Sequence, residues 1–453
     1  MKTIFISVSR GLTARNILRS DVLKSLKNGN IKIVLLVLDK AIEEIRKEFE
    51  DRDVELIAIK QPKMGRLRVI YLKIMSRALV WTESSRMVLL GGQMGLKKKN
   101  FFYSLTVRAI VFLSSSKLAK KLFLWAEFHI FKEGHFDYIF KERKADLFFS
   151  ADIHSNIDTL LLKSAKRFGV KTVGMPKGWD ALGQRLLRVM PDKFVLQNNT
   201  LKKDTMEFQD IEESRILVSG FPSFDFYWKK DLLWEREEFC NKTKLDPKKP
   251  ILFFGSSGLW SKDDCGLVEF LYDCIKKEKF IKPCSLIVRP HFSNIKYNPY
   301  KKFYGESDIY IDDKYTTSNF LDNWNPTPSD IRFFVNSLFH SNVILSYAST
   351  LSMDACAINR PIINLYFGGQ FDDFGADRTE LHYQFSHYKV ITKNPAVKKA
   401  GTGEELIKLI NQYLENPELD SALRLAMRRD LCSSEDGLAG ERIAKFLIQE
   451  LDS

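Results

Sequence analysis

The sequence predicts two doubly wound α/β domains, and three observations predict it. Short runs rich in Val, Ile, Leu and Phe recur in both halves of the chain, separated by stretches at helical spacing. The length of 453 residues suits two domains, and a 45% hydrophobic content can fill two cores. One strand–turn–helix–strand unit is also legible outright, from Asn342 to Leu365. Val343 to Leu345 opens it as a buried strand, a hydroxyl-rich turn follows, and Arg360-Pro361 ends the helix. Its turn places Ser349 and Thr350 at a helix N-terminus, where free N–H groups and the helix dipole favour phosphate. An ordinary N-cap needs a hydroxyl at the same place.

In the first domain, the pattern predicts strands at 3–8, 31–38 and 54–59, with helices at 13–27 and 41–49. A basic helical segment, about 66–134, interrupts this alternation. It resumes with strands at 147–150, 171–175, 193–197 and 215–219 and a helix at 159–168. Gly220-Phe221-Pro222 marks the exit, giving a first domain of 1–226 and a charged linker of 227–250. The second domain, 251–453, is expected to hold strands at 251–255, 286–289, 309–312, 343–346, 362–365 and 390–391. It closes on an amphipathic helix at 438–451. Ligands bind at the carboxyl edges of such sheets, so two of them are expected to face a cleft.

Charge is unevenly placed. Between Lys60 and Lys132 stand fifteen Lys and Arg but only two acids, Glu83 and Glu127, which equals the +13 of the whole chain. Phe101, Phe102, Tyr103, Phe112, Phe123 and Trp125 lie in the same window. Such a segment suits an anionic membrane surface, or is simply a solvated helical face. No nucleic-acid motif accompanies it, so no nucleic-acid partner is expected. No apolar run reaches the roughly 18 residues of a spanning helix, and the start is too short and strand-like for a signal peptide. The six cysteines show no CxxC pair and are expected to be reduced. Location is therefore expected to be cytoplasmic, with peripheral contact to the inner face of the membrane.

Several loops fall on predicted carboxyl edges. In the second domain, Gly255-Ser256-Ser257-Gly258 joins a strand to a helix, and its small residues admit close backbone approach. Arg289-Pro290-His291 ends another strand; Arg289 suits a bidentate phosphate clamp, and His291 a donor or proton shuttle. Asp354, five residues after Ser349, suits a ribose hydroxyl or balances the helix dipole. In the first domain, Ser9-Arg10-Gly11 with Arg15, Asp152 with His154, and Lys177-Gly178-Trp179-Asp180 converge on one edge. An acid or His there can deprotonate an acceptor hydroxyl. Asp51-Arg52-Asp53 is a solvated turn, and the seven histidines lack metal spacing, so no metal is expected.

These residues resemble a family. Ser349-Thr350 with Asp354 and Pro361 is similar to the donor-phosphate loop and helix of GT-B glycosyltransferases. The resemblance is closest to the CDP-glycerol glycerophosphotransferase branch, with kinship to UDP-N-acetylglucosamine 2-epimerases. Arg289-Pro290-His291 looks like that branch's Arg-x-His element, and Asp436-Gly437 with Glu441-Arg442 its carboxyl end. Gly178-Trp179-Asp180, Pro191-Asp192 and Gly220-Phe221-Pro222 with Phe224-Asp225 resemble a bacterial glycosyltransferase pattern. The branch carries His-Gly where this chain has Lys177-Gly178, a departure that favours a sugar donor over glycerol phosphate.

The resemblance implies two Rossmann-like domains and metal-independent transfer from a nucleotide-activated sugar, with no other cofactor. Gly255, Ser256, Ser257, Arg289, His291, Ser349, Thr350 and Asp354 would hold the donor. Asp180 is the first choice for the base, followed by His154, Asp152 and His291, with Arg10, Gly11, Arg15, Lys177 and Trp179 on the acceptor side. The acceptor would be a polysaccharide or a lipid-linked molecule. Polyol-phosphate transfer, nucleotide-sugar epimerisation and non-catalytic nucleotide binding are the competing readings.

Overall fold

A computed structural model of the chain describes residues 1–86, 88–89, 101–114, 116–131, 133–179, 182–257, 264–291, 298–314, 318–367, 383–433 and 435–453. The chain divides into two compact units. Unit 1 comprises Met1–Ser223, Ser318–Asn325 and Leu438–Ser453, and unit 2 comprises Phe224–Thr317 and Pro326–Gly437.

Unit 1 is built on seven parallel strands: β1 (Thr3–Val8), β2 (Lys32–Leu38), β3 (Val54–Ile59), β4 (Leu147–Ser150), β5 (Lys171–Gly174), β6 (Lys193–Leu196) and β7 (Ile216–Val218). Their order is β3-β2-β1-β4-β5-β6-β7, so the winding reverses between β1 and β4. Ile4, Phe5, Ile6, Leu147, Phe148 and Phe149 are fully buried. A parallel sheet covered on both faces requires such unbroken apolar runs.

Between β3 and β4 stand the helices Arg66–Ala78, Phe101–Ser114 and Lys117–His129. An ion network ties the first and third of these to the helix Asn156–Arg167. Glu127, fully buried, meets the guanidinium of Arg68 at 2.6 Å, that of Arg188 at 2.9 Å and the Lys163 ammonium at 3.4 Å. Glu133 adds contacts to Lys163 at 2.8 Å and Arg188 at 2.9 Å. Arg68 also lies 3.6 Å above the Phe131 ring.

Unit 2 holds six parallel strands: β8 (Ile251–Gly255), β9 (Ser285–Arg289), β10 (Ile309–Ile311), β11 (Val343–Ser346), β12 (Ile362–Leu365) and β13 (Val397–Ala400). Their order is β10-β9-β8-β11-β12-β13, and the winding reverses between β8 and β11.

Four expectations need correction. Residues 390–391 are not a strand but part of the helix Ser386–Thr392, where Tyr388 and Ile391 are buried at helical spacing; the edge strand is β13. The segment 227–250 is not a free linker. It carries the helix Arg236–Thr243, and Trp234 packs on Phe239 and Phe333 at ring-centroid distances of 6.4 and 6.1 Å, within unit 2. The helix expected over 13–27 is broken at Arg19-Ser20. There the Ser20 hydroxyl donates to the Asn16 carbonyl at 2.6 Å and accepts from the N–H of Val22 at 3.3 Å, starting a new helix, Asp21–Lys27.

The terminal helix Ala439–Asp452 was expected in the second domain, but it packs in unit 1. Its stripe of Ile443, Ala444, Leu447 and Leu451 joins the core beneath β1 and β2. At Gly440 an added Cβ would stand 3.0 Å from the Val22 nitrogen, so glycine lets the helix lie against Asp21–Lys27.

Breaking a buried ion pair from one side leaves charge unpaired, at a cost of about 3–5 kcal/mol. Glu127→Gln is expected to destabilise the protein by that amount, measured by urea unfolding followed by circular dichroism.

Candidate functional site

In unit 2, register brings three loops side by side. Gly255 at the end of β8 pairs with Arg289 at the end of β9 and with Ser346 at the end of β11. Neighbouring strands lie about 4.8 Å apart, so the three carboxyl ends form one shelf at the topological switch point.

Each residue of the shelf has a definite environment. An added Cβ on Gly255 would stand 2.5 Å from Leu351 Cδ2, so glycine lets the helix Leu351–Ala357 start close to β8. The hydroxyl of Ser256 donates to Asp264 at 2.5 Å, and the N–H of Ser257 donates to the same carboxylate oxygen at 2.8 Å. Ser349 Oγ accepts from the N–H of Leu351 at 3.2 Å. Thr350 is the helix N-cap residue, yet its hydroxyl makes no capping bond and the residue is exposed. Asp354 accepts from the Tyr227 hydroxyl at 2.6 Å. Beneath the turn, Asn364 donates to Ser352 Oγ at 2.9 Å and accepts from the Tyr388 hydroxyl at 3.0 Å.

Arg289 pairs with the buried Asp312, and its guanidinium lies 4.6 Å from the centre of the Phe334 ring. Burial lifts the Asp312 carboxyl above its usual range against the pull of Arg289. Burial lowers His291 to about 4, so its imidazole is neutral at pH 7. Gly258 lies outside the described residues.

In unit 1, the loops after β1 and β4 flank the other switch point. Arg10 Nε donates to Asp152 Oδ2 at 2.8 Å and so joins them. Asp152 is buried, and its Oδ1 has no hydrogen-bond partner among the described residues. Behind it lies Asp158, fully buried, which accepts from Ser155 Oγ at 2.6 Å, Ser150 Oγ at 2.9 Å and, closer still, Ser7 Oγ. Burial and the neighbouring Asp152 charge push the Asp158 carboxyl upward.

Gly11 and Arg15 meet the segment 318–325 of the same unit. Asp322 accepts from the N–H groups of Gly11 and Leu12 at 3.0 and 3.2 Å. An added Cβ on Gly11 would fall 1.6 Å from the Trp324 carbonyl oxygen, and Arg15 lies 5.6 Å from the centre of the Trp324 ring. Lys177 is exposed, Trp179 is buried, and Asp180 lies outside the described residues. His154 stands apart from the Arg10–Asp152 pair on the wall of a cavity of about 340 Å³. Neither of its ring nitrogens has a partner among the described residues. Burial, then the charges of Arg185, Lys177 and Arg77, hold it well below the usual histidine range.

Sequence reasoning missed Asp158, Asp264, Asp312 and Asp322. A signal existed for two of them: Asp158 follows Ser155 at capping-box spacing, and Asp312 directly follows a strand. The contacts of Asp264 and Asp322 bridge intervals that local spacing does not encode.

No family model and no curated protein matches this sequence. Solved structures do match it in fold. A glycosyltransferase from Rickettsia africae ESF-5 aligns with a TM-score of 0.52 and 14% identity, over 100% of this chain and 99% of that one. A variant of the wall teichoic acid polymerase TagF, soaked with CDPG, gives 0.54 and 12%, over 100% and 89%. The UDP-GlcNAc 2-epimerase of Neisseria meningitidis, bound to UDP-GlcNAc, gives 0.57 and 11%, over 99% and 100%. The fold is thus that of GT-B proteins, as the loop motifs led one to expect; identities this low bear on fold alone.

The state of His154 gives a pH test. Its unfolded-state pKa is about 6.5 and its folded value is lower, so the unfolded chain binds the proton first as pH falls. The contribution is complete above about pH 6.5 and is lost below it, by up to about 1.4 kcal/mol per pH unit. Urea unfolding at pH 7.5, 6.5 and 5.5 is expected to show this slope, and His154→Gln to reduce it.

Proposed function

We propose that the chain is a metal-independent glycosyltransferase that moves a sugar from a nucleotide-activated donor to a polysaccharide or lipid-linked acceptor. The observation that carries this reading is the shelf of unit 2, where the ends of β8, β9 and β11 meet. Thr350 offers there a hydroxyl not spent on capping, and Arg289 supplies positive charge. Asp312 and Phe334 orient that guanidinium.

In the reaction, an acceptor hydroxyl oxygen attacks the anomeric carbon of the sugar. The bond from that carbon to the phosphate oxygen breaks, and the nucleoside diphosphate leaves. Arg289 with the hydroxyl of Thr350 answers the charge that develops on the leaving group. The acceptor proton goes to a base of unit 1. Asp152 suits that role through its unbonded Oδ1 and its fixed place beside Arg10; Asp180 and His154 are the other candidates. His291, neutral at pH 7, donates to the donor phosphate as an imidazole and not as a cation.

The segment 60–132 places the enzyme on an anionic membrane surface. Its described helices expose Leu67, Ile70, Phe112 and Trp125 among basic residues, and no described helix is long and apolar enough to cross a bilayer. Acceptor and enzyme would then meet at the cytoplasmic face.

A panel of UDP, CDP, GDP and dTDP, free and sugar-linked, tests the donor site by thermal shift and calorimetry. One nucleotide is expected to stabilise the protein, by about 2.7 kcal/mol at 100 times its dissociation constant. Ser349→Ala/Thr350→Ala is expected to weaken that binding tenfold or more. A panel without any shift removes the donor assignment. A response to CDP-glycerol alone moves the reading to polyol-phosphate transfer.

A further inference from the structure

The helix Lys117–His129 has two apolar faces, and the core uses only one. Its inner face is occupied. Phe123 is buried with Leu79, Val80 and Leu186, and its ring stacks on Tyr71 at a centroid distance of 6.3 Å. On the same side, Glu127 meets Arg68, Lys163 and Arg188, and Lys120 meets Asp210 at 2.9 Å. At about 100° per residue, Leu118, Leu122 and Trp125 fall on the opposite side, spaced i, i+4, i+7. Each of the three is more than half exposed. Lys117 and Lys121 are exposed along one edge of this stripe.

An ordered row of large apolar side chains in water marks a contact surface. The ion pairs on the inner side pin the helix, so the stripe cannot turn inward. The composition of the outer face selects the partner. The helix carries one acid, Glu127, and that acid faces inward. Leucine and tryptophan bordered by lysines suit a helix lying in the plane of a bilayer. The leucines then sit among acyl chains, the indole at the headgroup boundary, and the ammonium groups reach anionic headgroups. A second copy of the chain fits this face less well. A two-fold axis through the stripe would bring like charges, Lys117 and Lys121, together with no acid on the helix's outer face to answer them.

We propose that the helix Lys117–His129 is an in-plane membrane anchor: Leu118, Leu122 and Trp125 enter the acyl region of an anionic bilayer, so that burial of apolar surface, and not charge alone, holds the protein there. The anchor deepens the reading that the segment 60–132 meets a membrane and rests on it; it does not rest on sugar transfer. One side chain ties the anchor to the acceptor side of unit 1. Arg188 donates to Glu127 of this helix at 2.9 Å and to Asn156 at 2.7 Å, two residues beyond His154. Membrane contact thereby fixes the place of the loop that carries Asp152 and His154.

Sedimentation of the full-length protein with vesicles of phosphatidylglycerol and phosphatidylcholine in equal parts tests the anchor. Wild-type capture is expected to persist in about 1 M salt, where the screening length shrinks to about 3 Å. Leu118→Gln/Leu122→Gln/Trp125→Gln is expected to weaken capture at least tenfold at low and high salt alike. Lys117→Gln/Lys121→Gln is expected to weaken it at low salt only. The triple variant is expected to melt with the wild type, because its three side chains face solvent; that midpoint separates a lost anchor from a lost fold. A second measurement needs no triple variant. Phosphatidylcholine brominated in its acyl chains is expected to quench part of the wild-type fluorescence, and Trp125→Phe to remove that part. Equal quenching in both, capture that the triple variant leaves unchanged, or wild-type capture that high salt abolishes overturns the anchor and leaves adsorption by charge standing. No capture of the wild type removes the anchor and the membrane reading together. A wild-type dimer in sedimentation equilibrium that the triple variant dissociates assigns the stripe to a second copy and overturns the proposal.

Discussion

The buried carboxylate of Glu127 is the constraint on which the helical part of unit 1 depends. A carboxylate with no exposure must be paired, so Arg68, Lys163 and Arg188 converge on it from three separate stretches of chain. The helices Arg66–Ala78 and Lys117–His129 are thereby tied to Asn156–Arg167, the helix that follows β4. Glu133 supplies the second negative charge, and three cations share two acids. This arrangement turns a basic insertion, which would otherwise repel itself, into a packed layer. It also answers Arg188 with both acids, whereas Arg77 meets no acid among the described residues.

Carboxylates serve a second, recurring purpose at the strand ends. Asp264 receives the Ser256 hydroxyl and the Ser257 N–H after β8. Asp322 receives two N–H groups after β1. Asp158 gathers serine hydroxyls after β4. Each occupies donors that a turn of glycine and hydroxyl residues leaves open. The practical consequence is a sorting of the predicted ligand turns. The 255–257 turn is shaped by an internal acid, Gly11 is filled by the chain itself, and Thr350 keeps its hydroxyl outside any cap.

Much of the fold was legible because a parallel sheet buried on both faces leaves an unmistakable pattern of apolar runs. The runs 3–8, 54–59, 147–150, 251–255, 343–346 and 362–365 coincide with strands. Residues 390–391 misled because two apolar residues fit either period, and helical burial of Tyr388 and Ile391 won. Residues 227–250 misled because charge masked the aromatic side chains that pack, Trp234 and Phe239. At the candidate site, the order of strand, loop and helix located Ser349, Thr350, Gly255 and Arg289 on one edge. The partners of Arg289, Asp354 and Gly11 stayed hidden, because those contacts join residues far apart in the chain.

By itself, then, the sequence determined the class of fold, the strand ends that carry polar loops, and the concentration of positive charge between 60 and 132. These follow from local composition and periodicity, which act along the chain. Tertiary structure alone decided which carboxylate meets which cation, that the last helix completes the core of unit 1, and that His154 faces a cationic cavity instead of joining Asp152. Those outcomes depend on burial, and burial is a property of what surrounds a residue in space.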